Sequence, residues 1–174
     1  DAQAAKNNIT GSGGASPDIA FGDTPLQLDE VRQTRERLIQ MANVRYSGST
    51  DLSSTTLGTL ENPQITYVND SLRLSGGVTG YGVLIVDKDL VITGNVNFYG
   101  IVIVGVCPTC PGRVEQGAGN FNLYGSLLVA NTTSEHSDEA RIKVTGNGDF
   151  FYSSSAINNA LSATFATERW REVL

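Results

Sequence analysis

Histidine is nearly absent: His136 is the only one among 174 residues. Catalysis that pairs a nucleophile with an imidazole base would rest on His136 alone, and the sequence offers no partners for it. Cysteine is limited to Cys107 and Cys110, so a zinc site of the usual kind has only half of its donors. No apolar stretch reaches the roughly 18 residues that read as a membrane-crossing helix. No run of Lys or Arg occurs and the net charge is −6, which makes nucleic acid and anionic membrane surfaces poor partners. Charged residues make up only 17%, while Ser, Thr, Asn and Gly are plentiful, a mixture common in extracytoplasmic β-proteins. No Gly-rich phosphate loop leads a strand into a helix. The chain opens at Asp1 with neither an initiator Met nor a signal peptide, and so reads as an excised or processed fragment.

What is present is a repeat. Leu90–Gly105, LVITGNVNFYGIVIVG, has relatives at Leu72–Val86, Gly119–Val129 and Ile142–Ala156. Gly76, Gly94, Gly119 and Gly146 align in one column, separated by 18, 25 and 27 residues. Tyr81, Tyr99, Tyr124 and Phe151 form an aromatic column five residues on. Gly82, Gly100 and Gly125 follow, and then come the apolar runs Val83–Val86, Ile101–Val104 and Leu127–Val129. Eighteen residues are too few for a βαβ unit, which needs about 30. They suffice for one rung of a parallel β-helix, with Gly-Asn pairs at bends that tolerate positive φ. The longer spacings place inserted loops at about 106–113 and 131–140, where such folds carry binding surface. The repeat therefore predicts a mainly β fold: a short parallel β-helix (solenoid) of about four rungs. An antiparallel sandwich of Gly-rich hairpins is the competing arrangement.

Residues 1–64 form an N-terminal segment and 65–174 the solenoid with its cap. After a lead-in over Asp1–Gly22, Thr24 as N-cap and Pro25 at the first position predict a helix over about 25–43. Leu28, Val31, Leu38, Ile39 and Ala42 give it one apolar stripe, leaving Arg32, Arg35 and Arg37 on solvated faces. The Ser/Thr-rich stretch Tyr46–Asn62 reads as a linker or an irregular strand, and Ile65–Val68 as the first strand of an opening rung. Alternation turns Leu72, Leu74, Ile142 and Val144 inward and Arg73 and Lys143 to water. Leu84, Val86, Val102, Val104, Leu127 and Val129 face inward too. Val83, Ile85, Ile101, Ile103 and Leu128 then form an outward apolar face, which the 25–43 helix is expected to cover unless a partner protein does. Ser153–Ser155 and a short helix through Ala156–Thr164 read as a cap on the open end, with Trp170 folded back onto the stack.

Cys107-Pro108-Thr109-Cys110 is the sharpest local motif. The strand-to-helix context of a redox pair is absent, and half a zinc site lacks its second half, so a disulfide pinching the loop is the favoured reading, ahead of free thiols. Glu135, His136, Asp138 and Glu139 read as a solvated acidic loop rather than a cation site. The rungs also carry Asp87, Asp89 and Asp149, but Asp87 and Asp89 flank a tight bend. Asp149 shares the column of Asn97 and Asn122, which suggests a turn. No catalytic residue, cofactor or metal is expected.

The segment from Gly80 to Gly105, the run GNFNLYGSLLVA at Gly119–Ala130, Tyr152–Leu161 and the closing Trp170-Arg171-Glu172-Val173 together resemble the C-terminal half of PilX-type type IV pilus assembly proteins, which are minor-pilin-like. The resemblance covers about Pro63 to Leu174. It implies a non-enzymatic component of a pilus or related filament, acting in the bacterial cell envelope outside the cytoplasmic membrane. It implies other filament subunits as partners, and anchoring only through an N-terminal membrane helix that this chain lacks. A surface adhesin or glycan-binding module using the inserted loops is the alternative, and a β-helix carbohydrate enzyme a third.

Overall fold

The computed structural model describes residues 28–107, 110, 112–130 and 141–168. They form a mainly β structure with two helices, α1 (Leu28–Gln40) and α2 (Ser154–Glu168). The strands are β1 (Val44–Tyr46), β2 (Thr50–Ser53), β3 (Thr56–Leu57), β4 (Gln64–Val68), β5 (Leu72–Ser75) and β6 (Gly77–Val86). They continue as β7 (Asp89–Ile92), β8 (Asn95–Gly105), β9 (Arg113–Gln116), β10 (Asn120–Ala130), β11 (Arg141–Val144) and β12 (Asn147–Tyr152).

One sheet runs β1-β4-β6-β8-β10-β12, with β3 also on β6, and the other runs β11-β9-β7-β5-β2. From β4 onward successive strands alternate between the two sheets, and both sheets are open. Every strand pairing is parallel, which rules out the hairpin sandwich. The register follows the repeat: Gly77 lies beside Asn95, Val96 beside Phe121, and Asn120 beside Asn147. The first level begins just before the segment read as a linker and runs through it. There β1, β2 and β3 pair with β4, β5 and β6, so the stack begins at Val44. Ser and Thr suit these strands because alternate side chains face water.

Two apolar clusters explain why β6 and β8 read as nearly unbroken hydrophobic runs. The first joins residues of both sheets: Leu84, Val86, Val102 and Val104 meet Leu72, Leu90, Ile92 and Val114, and Phe98 and Phe121 belong to the same cluster. The second lies on the other face of the larger sheet, where Ile65, Val83, Ile85 and Ile103 meet Leu38 and Ile39 of α1 and Ala160 of α2. Burying one such Ile is worth roughly 1.5–3 kcal/mol.

The helices depart from expectation. α2 does not cap the end of the stack; it runs across β4, β6, β8 and β10 and shares the cover of the outward face with α1. Ser153 acts as its N-cap, accepting a hydrogen bond from Ala156 N at 3.2 Å, so the serines open a helix rather than close a rung. Small residues let it approach: a Cβ placed on Gly100 would stand 3.0 Å from the Cβ of Ala160. α1 is confined to Leu28–Gln40 among the described residues, packs chiefly beside β4, and shares the face through Leu38 and Ile39. Thr24, Pro25 and Trp170 lie outside the described residues.

The far end of the stack is also a correction. Ile142 and Val144, expected inside, are 50% and 41% exposed, because no described strand stacks beyond β11. Phe151 and Tyr152 of β12 are exposed as well.

Candidate functional site

The repeated columns are ladders in space. Tyr81, Tyr99, Tyr124 and Phe151 stack with ring centroids 4.7, 4.8 and 5.2 Å apart and near-parallel planes. Burial, then the neighbouring Tyr81 and Tyr124, raise the pKa of the Tyr99 phenol. Beside them the Asn120 amide donates to Asn95 at 3.1 Å and that of Asn147 to Asn120 at 3.2 Å. In the next column Asn122 donates to Asn97 at 2.8 Å, and exposed Asp149 stands at the register position beyond. These amides spend hydrogen bonds on one another and the rings spend their faces, so the ladders are scaffolding before they are a binding surface.

The glycine columns serve the same stacking. A Cβ on Gly94 would meet the Gly76 backbone, one on Gly119 the Gly94 backbone, and one on Gly146 the carbonyl oxygens of Gly117 and Gly119. Gly100 and Gly125 hold φ of 143° and 147° in mid-strand, and each lies against the glycine of the preceding level.

The place where unlike chemistry converges is the corner after β6. Asp87 follows that strand, and its carboxylate forms an ion pair with Arg35 of α1. It also accepts a hydrogen bond from the Tyr67 hydroxyl of β4 at 2.8 Å. Arg35 is 2% exposed, contrary to the solvated face expected for it, and its second nitrogen reaches Glu36. Burial, reinforced by the hydrogen bond to Asp87, pushes the Tyr67 phenol up to about 12. The guanidinium of Arg45 lies 5.9 Å above the Tyr67 ring, a cation–π contact.

One level along the stack, Cys107 and Cys110 are joined by a disulfide, with Cα atoms 5.1 Å apart. Cys110 is buried, and its N–H donates to the Cys107 carbonyl at 3.1 Å. An Asp87 carboxylate oxygen and the two sulfurs all lie within 4.8 Å of one another. The sequence brings out the cysteines but not Arg35 or Tyr67. The available signal was spacing: Arg35 precedes Leu38 and Ile39 by three and four positions, and so belongs to the buried side of its helix.

Asp87 is held by Arg35 and Tyr67, while Asp149 stands exposed at the end of the asparagine column. Among the described residues, no helix is long and apolar enough to cross a membrane. The acidic loop with Glu135, His136, Asp138 and Glu139 lies outside the described residues. The fold and this corner define a mainly β protein with stacked parallel sheets and a disulfide-pinned loop. No family model, curated protein or solved structure matches the chain.

Proposed function

We propose that the two sheets are faces of one short parallel β-helix, and that the chain is a non-enzymatic structural or assembly component of a type IV pilus or related filament, working outside the cytoplasmic membrane. The observation that carries this reading is the end of the stack: β11 and β12 present Ile142, Val144, Phe151 and Tyr152 beside backbone edges that no described strand pairs. Such an edge is a template for a strand from another subunit. The disulfide supports an oxidising compartment, and the self-paired ladders support a scaffold rather than a catalyst. The resemblance to PilX-type proteins supplies the filament.

The test is genetic and chemical together. Deleting the gene should reduce surface filaments, and a photocrosslinker at Tyr152 in the complementing copy should trap a filament subunit. Unchanged filament number with no crosslink to any subunit would overturn the proposal.

A further inference from the structure

Asp87 and the cysteines approach one another because Val86 pairs with Val104, which stacks the corner after β6 beside the loop after β8. With the disulfide closed, the sulfurs are not thiolate ligands. Opened, the same place holds two thiols and a carboxylate from atoms already within 4.8 Å of one another. A C-x-x-C spacing lets both sulfurs bind one ion, and soft thiolates select Zn²⁺ over Mg²⁺ or Ca²⁺. Arg35 and Tyr67 each take one oxygen of Asp87, leaving each oxygen a further lone pair. They would orient the carboxylate as outer partners orient a metal ligand. Zn²⁺ with two thiolates and one carboxylate is net negative by one, and buried Arg35, already paired with Asp87, is the cation beside it.

We propose that the reduced chain binds one Zn²⁺ through Cys107, Cys110 and Asp87, with water in the fourth position. Cys107 and Cys110 are then tied by a disulfide in an oxidising compartment and by the metal in a reducing one. A dithiol reductant passes two electrons to the cystine and leaves as its own disulfide, and both cysteines become thiols. Binding of Zn²⁺ then releases two protons. This inference does not rest on the filament reading.

The test uses the full chain reduced with a trialkylphosphine under inert gas and titrated with Co²⁺. Thiolate-to-cobalt absorption and tetrahedral visible bands should grow to one equivalent, vanish when Zn²⁺ is added, and be absent from the unreduced protein. Replacing both cysteines by Ser should abolish them, and Asp87→Asn should weaken binding by about tenfold or more. X-ray absorption of the wild-type zinc complex should show two sulfur ligands with oxygen completing the shell, a readout independent of any variant's folding. Reduced protein with two titratable thiols but no cobalt band would overturn the proposal. A folded Asp87→Asn protein with wild-type affinity, or a zinc shell without sulfur, would overturn it as well.

Discussion

At the scale of single residues, the molecule separates groups that are repeated from groups that occur once. Tyr99 and Asn120 announce themselves because the sequence writes each of them several times at the rung spacing. Arg35 is written once, on a helix with other arginines, and only its phase relative to Leu38 marks it as buried. Its removal should be costly, since the Asp87 carboxylate would lose its cationic partner where little water reaches it. Arg35→Met should lower stability by about 2–4 kcal/mol in urea melts, somewhat under the range for fully buried pairs because Asp87 remains partly exposed. A loss below about 0.5 kcal/mol would mean the pair is not formed in solution. Tyr67 gives a pH signature. Its folded pKa of about 12 lies above the ordinary 10.0, so its contribution is whole below pH 10 and is lost as pH rises from there to 12. Stability should fall across that window in the wild type, and the fall should flatten in Tyr67→Phe.

At the scale of elements, strands were more legible than helices. The two-residue alternation and the glycine columns fix which faces of β6, β8 and β10 point where, and the inward and outward sets separate in space as the pattern reads. Helix α2 was legible as a helix but not in its place, because its small residues suit a tight contact as well as a cap. Two substitutions probe the shared cover. Leu38→Ala should cost about 2–4 kcal/mol, since the side chain is buried against the outward Ile residues. Ala160→Leu should cost about 1–3 kcal/mol by overpacking against Gly100, and a neutral result would show that α2 can lift off the sheet. The strands in the Ser/Thr-rich stretch were missed for a different reason. They are short, with only one or two apolar residues each, so they carry little hydrophobic signal, and backbone pairing to β4, β5 and β6 joins them to the sheets.

At the scale of the whole molecule, the question is whether the exposed end of the sheets serves assembly or the strands serve catalysis. A polysaccharide hydrolase needs two ionisable groups placed across its substrate, commonly carboxylates. Asp87 is held by Arg35 and Tyr67, and Asp149 extends an asparagine column, so Asp149→Asn should change stability only slightly and abolish no activity. A depolymerising activity that disappears in that variant would favour an enzyme. Assembly makes the opposite demand, on a residue that contributes little to the fold. Tyr152 is 77% exposed, so Tyr152→Lys should stay within about 0.5 kcal/mol of wild type in a denaturant melt. Lysine on an edge strand discourages strand addition, so the same variant should lower filament number in cells and lose the crosslink to a subunit. A folded Tyr152→Lys protein that still supports filaments at the wild-type level would move the contact away from β12.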